Sequence, residues 1–398
     1  MKFRKLTSLA LVAVLAVSCL AGCGGKKAES SEGGGDTFKI GGIGPTTGST
    51  AVYGLAVQHG AEMAVKEINE AGGINGAQIE FQFEDDENDA EKSVNAYNTL
   101  KDWGVQMILG SVTSTPSIAV GEETYNDNMF QLTPSGTAVE CVQHENAFRV
   151  CFSDPSQGLE SAKYIGENKL ATKIAVIYDS SDTYSSGIYE AFSAEAKNQG
   201  LEIVAAEAFT ADNKTDFSVQ LQKAKDAGAE LLFMPFYYQE ASLVLKQAQG
   251  MNFDPIFFGV DGMDGILDVE NFDPALADGL MFLAPFCPTS EDEAISTFVS
   301  AFEEEYGETP NQFAADAYDG IYILKQALES MDATPDMSAS DLCDGLKTAM
   351  TEITYSGVTS PEIKWTADGE PEKAPMVLQI QNGEYVDCLL YTSPSPRD

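Results

Sequence analysis

Segments of strand length and segments of helix length alternate along most of this chain. From Phe38, a strand ending in glycines precedes a long amphipathic helical pattern, and then come the strand IEFQFEDDEND, a second helical pattern and the apolar run VQMILGS. A second round of the same alternation begins at Lys173 and continues to the strand PIFFG, which ends at Gly259. Regular alternation of this kind predicts parallel β-sheets with helices on both faces. The fold class is therefore α/β, and the two rounds predict two similar lobes.

Two stretches interrupt the alternation and indicate crossings between the lobes. FRVCFSDPSQG, from Phe148, is extended and contains a proline turn, and GLMFLAPFCPTSEDE, from Gly279, carries two prolines ahead of an acidic helix. Short strands follow the last long helical pattern and are joined by Asp368-Gly369 and Asn382-Gly383, both typical of hairpins. A third crossing completes a three-segment hinge. We expect an N-terminal lobe of residues 37–154 and 286–352 and a C-terminal lobe of residues 155–285 and 353–387.

The N-terminus has the pattern of an export signal. Residues 1–22 combine a basic start with an apolar core too short to span a bilayer, and they lead into Leu20-Ala21-Gly22-Cys23, which resembles a bacterial lipobox. We therefore expect Cys23 to be lipidated and the Gly/Ser-rich residues 23–36 to form a flexible tether. No later stretch has 18 uninterrupted apolar residues. The protein is expected to be anchored at the outer face of the bacterial cytoplasmic membrane without spanning it.

The C-terminal residues and the cysteines need separate treatment. Residues 388–398 read CLLYTSPSPRD, which matches the translation of sequencing-adapter DNA, so we exclude them from the fold as an artefact. Cys141, Cys151, Cys287 and Cys343 show no CxxC motif and no metal-ligand spacing. An exported chain permits a disulfide between Cys141 and Cys151 or between Cys151 and Cys287, and buried free thiols are the alternative.

Acidic residues greatly outnumber basic ones. The sequence has 62 Asp and Glu against 23 Lys and Arg, for a net charge of -39. Such a surface repels nucleic acid and anionic lipid headgroups. We therefore expect no nucleic-acid partner, and the charge itself favours solubility without selecting a partner.

Hydroxyl-bearing turns follow two strands of the first lobe. Ser114 lies after the apolar run of VQMILGSVTSTPS, and Ser135 and Thr137 lie after FQLT. Ligands of open parallel sheets bind at the carboxyl ends of strands, and a helix start offers unpaired N–H groups to a small anion. Capping of the helix by Ser114 or Thr115 is the simpler alternative. The two turns together predict half of a ligand cleft.

Aromatic and acidic residues follow the strands of the second lobe. Tyr184, Tyr237, Tyr238 and Asp261 are expected there, and Tyr53 is expected at the cleft edge of the first lobe. Because Asp-Gly is a common turn dipeptide, an ordinary turn is the alternative for Asp261. For Tyr238, the alternative is a side chain that points into its own lobe.

These features together resemble a known family. The motifs GPTTGSTAVYG, EINEAGGINGAQIE, GSVTSTPS, LTPSGT, AYDGIY and QNGEYV are similar to those of the substrate-binding proteins of bacterial ABC importers. The chain is more narrowly similar to the leucine/isoleucine/valine-binding family from about Thr37 to Val386. The resemblance implies a type I periplasmic-binding fold, no cofactor, no metal, no catalytic residue and a monomer. It also implies an exported lipoprotein that captures a small amino acid between two lobes and delivers it to permease subunits of the inner membrane.

The resemblance also implies roles for individual residues. Ser114 would hold the ligand carboxylate, with Ser135 and Thr137 holding the carboxylate and ammonium. Asp261 falls where some members carry a glutamate that meets the ammonium, while Tyr53, Tyr184, Tyr237 and Phe313 surround the ligand. Because aspartate is one methylene shorter than glutamate, a branched-chain, small polar or aromatic amino acid and an amide all stay open.

Two other functions compete with transport. An enzyme is disfavoured because His59 and His144, the two histidines, lie outside the predicted cleft loops, and HExxH, GxSxG and GxxxxGK[ST] are absent from the sequence. A lipoprotein that senses a ligand and presents its closed form to a membrane receptor would need the same two lobes. The sequence therefore does not separate sensing from transport.

Overall fold

The computed structural model describes residues 37–387, which form two β-sheets flanked by helices. The predicted signal, the lipidation site at Cys23, the tether and the excluded C-terminal residues lie outside this range. No helix within the described range is long and apolar enough to cross a membrane. The predicted α/β class with two mainly parallel sheets is confirmed.

The first sheet is entirely parallel. Its elements and the helices between them are β1 (Thr37–Gly44), α1 (Ala51–Glu70), β2 (Gln78–Asp85), α2 (Ala90–Trp103), β3 (Met107–Gly110), α3 (Ser114–Asp127), β4 (Phe130–Thr133) and β5 (Ala147–Arg149). The strand order is β2-β1-β3-β4-β5. In this order β2 lies at one edge of the sheet and β5, the last strand before the first crossing, lies at the other.

The second sheet contains seven strands. The chain enters it through α4 (Asp154–Glu167) and continues as β6 (Lys173–Asp179), α5 (Thr183–Ala196), β7 (Glu202–Phe209), α6 (Ser218–Asp226), β8 (Leu231–Met234), α7 (Tyr238–Gly250), β9 (Ile256–Gly259) and β10 (Met281–Ala284). It then leaves for α8 (Glu293–Tyr306), α9 (Gln312–Ser330) and α10 (Ala339–Glu352) and returns as β11 (Met376–Gln381) and β12 (Glu384–Asp387). The order is β12-β11-β10-β9-β8-β6-β7, with β11 and β12 antiparallel to their neighbours.

The central strands are apolar because both of their faces are covered. Every residue of β3 and β4 is buried, as expected for parallel strands between helices. Helix α9 packs against α1 and β3 with the predicted apolar face, which includes Ile321 and Leu324. A Cβ atom at Gly60 of α1 would lie 2.1 Å from the carbonyl oxygen of Ala314 in α9, so the glycine permits this close approach.

The segment before β11 packs with the first sheet. The Trp365 indole N–H donates to the carbonyl oxygen of Arg149 at 2.7 Å, and the Arg149 amide donates to Gly369 at 3.1 Å. Lys373 donates to Asp316 of α9 at 2.6 Å. The predicted lobe bounds stay a prediction, and these contacts favour a third crossing at residues 374–375 over one at 352–353.

The two predicted hairpin turns have the expected geometry. Asn382 and Gly383 join β11 to β12, and both have positive φ angles, 54° and 80°, as a two-residue hairpin requires. The turn at Asp368-Gly369 closes a short bridge between Trp365 and Pro371. Helix α10, by contrast, lies in a stretch for which we made no prediction.

Candidate functional site

The structure brings all eight predicted ligand-binding residues around one small cavity. Its empty volume is about 230 Å³. Its walls come from strand-end loops of both sheets and from the start of α9. The predicted residues that line it are Tyr53, Ser114, Ser135, Thr137, Tyr184, Tyr237, Asp261 and Phe313.

Ser114 joins the two hydroxyl-bearing loops. Its Oγ accepts hydrogen bonds from the backbone N–H groups of Thr137 and Ala138, each at 3.2 Å. The capping alternative is wrong, because Thr113 occupies the N-cap position of α3 and Ser114 is the first helical residue. Its hydroxyl proton is not used by these two bonds, so it can be donated to the nearby Cys141 sulfur or into the cavity.

The other two hydroxyls of this wall differ in what they offer. Ser135 Oγ donates to the carbonyl oxygen of Val112 at 2.7 Å, so it fixes the loop. Thr137 Oγ1 is buried and makes no hydrogen bond of ordinary length within residues 37–387. The Asp154 carboxyl group lies near this hydroxyl, so the Thr137 proton can go to Asp154 or to a ligand oxygen.

Asp261 presents a buried carboxylate from the opposite wall. The Tyr184 hydroxyl donates to its Oδ1 at 2.5 Å, and Gln312 Nε2 donates to its carbonyl oxygen at 2.8 Å. Burial raises the pKa of Asp261 to about 6, because hydrogen bonds from Tyr184, Gln157 and Gly262 only partly replace the water lost around the carboxylate. Asp261 begins a one-turn helix. Its side chain faces the cavity, however, and the ordinary-turn alternative does not explain that position.

Aromatic rings form the wall between these two groups. The rings of Tyr184 and Tyr237 stack with centroids 4.9 Å apart, and those of Tyr53 and Phe313 lie 4.2 Å apart. The Tyr53 hydroxyl donates to the carbonyl oxygen of Gly262 at 2.6 Å, and the Tyr184 hydroxyl donates to Asp261. Since these hydroxyls bind protein atoms, the ring faces give this part of the cavity an apolar surface.

Tyr238 is not part of the cavity wall. Its ring is buried and packs edge-on against Tyr53 with centroids 5.0 Å apart. Tyr238 therefore positions Tyr53 and does not face the cavity itself.

Arg149 stabilises the loop that carries Thr137, and the sequence analysis missed it. Its guanidinium is fully buried and donates to the carbonyl oxygens of Gly136 and Ala138 at 3.0 and 2.9 Å and to Glu370 at 3.0 Å. Gly136 and Ala138 flank Thr137 in the loop. An arginine inside the apolar stretch AFRVCF was the available signal, because a buried guanidinium has to be paired.

The histidines and cysteines considered in the sequence analysis lie outside the cavity wall. His59 and His144 contact Glu308 and Glu122, each at 3.0 Å, and neither lines the cavity. The four cysteines of the described range are buried free thiols, which decides between the two alternatives left open. Within residues 37–387, no group of three or more acidic, histidine or cysteine side chains could hold a metal ion.

Buried carboxyl groups make the stability of the empty protein depend on pH. Burial raises the pKa of Asp86, Asp261 and Asp316 to about 6 and that of Asp264 to about 7. A folded-state pKa above the unfolded value means that stability is lost as pH rises through the folded pKa. We therefore expect the melting temperature without ligand to rise by several degrees between pH 8 and pH 5.5. Thermal unfolding in a buffer series measures this, and a melting temperature that falls over the same range contradicts it.

Comparison with known proteins agrees with the geometry. The family model for periplasmic binding proteins matches residues 37–384. The Leu/Ile/Val-binding protein homolog 3 of Brucella melitensis is 30% identical over 323 residues, which cover 80% of this chain and 86% of that protein. The leucine-, isoleucine-, valine-, threonine- and alanine-binding protein of Pseudomonas aeruginosa is 29% identical, with 77% of this chain and 82% of that protein covered.

A solved structure shows the same architecture. The branched-chain amino acid transporter substrate-binding protein LivJ of Streptococcus pneumoniae, in complex with isoleucine, has a TM-score of 0.80 and 30% sequence identity. The match covers 88% of this chain and 99% of LivJ. The chain therefore belongs to the periplasmic binding protein family and, within it, to the Leu/Ile/Val-binding proteins and their homologues.

Proposed function

We propose that this protein captures leucine, isoleucine or valine outside the cytoplasm and delivers it to an ABC permease. The observation that carries the proposal is that hydrogen-bond donors and a carboxylate face each other across one cavity. Ser114 and Thr137 offer hydroxyl donors for a carboxylate on one wall, and Asp261 offers a carboxylate for an ammonium on the other. Since a charge taken out of water without a partner is costly, this arrangement suits a zwitterion.

The walls between the charged groups favour an aliphatic ligand side chain. The rings of Tyr53, Tyr184, Tyr237 and Phe313 supply apolar area around the cavity. The names of the relatives from Brucella and Pseudomonas, and the isoleucine bound to LivJ, support the same class. An amide or a polar amino acid would leave its side-chain polar group without a partner among the rings.

Capture requires the two lobes to close on the ligand. We infer that they rotate about the three crossings, because hinge closure around a ligand is a common mode of switching. The closed form would then be recognised by the permease. Cys23 and the tether would keep the monomeric protein at the outer face of the membrane, within reach of that permease.

A ligand screen tests the proposal. We expect leucine, isoleucine and valine to raise the melting temperature of protein spanning residues 24–387, because a ligand at 100 times its Kd adds about 2.7 kcal/mol of stability. Two matched compounds separate the charges: leucinamide lacks the carboxylate, and 4-methylpentanoate lacks the ammonium. Both should bind far more weakly than leucine in calorimetry. Stabilisation only by sugars or nucleosides would contradict the amino-acid assignment.

A further inference from the structure

The start of helix α9 is hydrogen-bonded directly to the loop that carries Asp261. The backbone N–H of Gln312 donates to Asp264 Oδ2 at 2.9 Å, and the Gln312 side chain donates to the Asp261 carbonyl oxygen at 2.8 Å. Helix α9 packs on α1 and β3 of the first sheet, whereas the loop follows β9 of the second. These two bonds therefore connect a helix that packs on the first sheet to a loop of the second sheet, beside the cavity.

Both partners are buried, although neither is part of the cavity wall. Gln312 is 2% exposed and Asp264 is 3% exposed, and only their neighbours Phe313, Asp261 and Gly262 line the cavity. Neither hydrogen bond includes a ligand atom. The closed conformation therefore has polar contacts between α9 and the loop after β9, in addition to those that a ligand would supply.

We propose that Asp264 and Gln312 form a latch that holds the closed conformation and fixes the loop presenting Asp261 to the ligand. The proposal rests on the proposed function only in assuming that the lobes open and close. Because the bond from Gln312 ends on the backbone of Asp261, closing the latch also sets the position of that carboxylate. Asp264 is thus a positioning residue, not a ligand contact.

The environment of Asp264 makes the latch reversible. Its second oxygen, Oδ1, is buried and makes no hydrogen bond of ordinary length within residues 37–387. Burial, with a smaller contribution from Asp268, raises the pKa of Asp264. The N–H groups of Gln312 and Gly265 and the Tyr385 hydroxyl only partly offset this cost, and Gln312 is the one of the three that comes from α9. An open conformation would return the carboxylate to water, so the desolvation cost opposes the gain from the latch.

A latch of this kind acts on affinity through the population of the closed form. If the ligand-free protein is closed for a larger fraction of the time, the apparent Kd falls in proportion. The latch must also break before a bound ligand can leave. Removing it should therefore raise the dissociation rate and leave the association rate nearly unchanged.

Three variants test the latch. Asp264→Ala removes the acceptor, Asp264→Asn keeps an oxygen that can accept from Gln312, and Asn311→Ala removes the two capping bonds at the same helix start without touching the latch. Small-angle scattering without ligand should show a larger radius of gyration for Asp264→Ala only. Stopped-flow measurements with leucine should give about tenfold faster dissociation for Asp264→Ala, the effect of losing a hydrogen bond to a charged group.

Several outcomes would overturn the latch. Unchanged scattering together with unchanged dissociation in Asp264→Ala would do so. An equally large increase in the radius of gyration of Asn311→Ala would also overturn it, because a weakened helix start would then explain the opening. Melting temperatures separate a folding defect from opening. If the alanine variant does not fold, Gln312→Ala takes its place, because it removes the bond to the Asp261 carbonyl oxygen. If no amino acid binds, the proposed ligand class fails, while scattering from the ligand-free variants still decides on the latch.

Discussion

Asp261→Ala should weaken leucine binding by at least about 100-fold. The ligand ammonium would be taken out of water and left without its carboxylate, and removing one partner of a buried ion pair typically costs about 3–5 kcal/mol. The Tyr184 hydroxyl would lose its acceptor at the same time. Isothermal calorimetry with leucine measures the loss directly.

Two further variants separate the charge of Asp261 from its shape. Asp261→Asn keeps the size and an acceptor for Tyr184 but removes the charge, so we expect most of the loss to remain. Glu190→Gln changes the net charge by the same amount at an exposed residue outside the cavity, and its affinity should equal that of the unmodified protein. If Asp261→Ala bound leucine within about threefold of the unmodified protein, well under the cost expected for a buried pair, the cation-site assignment would be wrong.

Arg149→Ala should lower the free energy of unfolding by about 3 kcal/mol or more. The carbonyl oxygens of Gly136 and Ala138 would be left buried without their donors, each at a cost of about 1–3 kcal/mol. The deleted side chain would also leave a cavity beneath the loop. The half-exposed pair with Glu370 adds little, because solvent screens it.

Urea denaturation measures this change, and a surface ion pair supplies the control. Lys101→Ala removes an exposed contact with Asp127, so it should cost no more than about 1 kcal/mol. Arg149→Lys keeps the charge but cannot reach both carbonyl groups and Glu370, so we expect an intermediate loss. A loss below about 1 kcal/mol for Arg149→Ala, less than one unsatisfied buried carbonyl group should cost, would show that the loop does not depend on the guanidinium.

The parts of the fold that were predictable are those where local patterns and burial agree. The apolar runs that became β3 and β4 are buried on both faces, so their sequence had little freedom. The site was predictable because strand-end loops of parallel sheets converge, which placed Ser114, Thr137 and Asp261 around one cavity from their positions alone.

The parts that were missed depend on contacts between distant residues. Arg149 and Gln312 act through carbonyl groups and a carboxylate in other segments of the chain, and no local spacing encodes those partners. The place of the third crossing stays a prediction, and the contacts that bear on it, from Trp365 to Arg149 and from Lys373 to Asp316, are side-chain bonds that no local pattern encodes. Helix α10 has a serine N-cap at Ser338 that a search for helix starts would have found.

The loop from Ser135 to Ala138 is fixed on two sides, by Ser114 above and by Arg149 below. A ligand that docks there does not have to order the chain it touches, so little conformational entropy is lost at this wall. The free energy gained by binding the ligand carboxylate can therefore offset the cost of rearranging the rest of the molecule. The first wall is therefore a rigid template that keeps its shape whether or not a ligand is present.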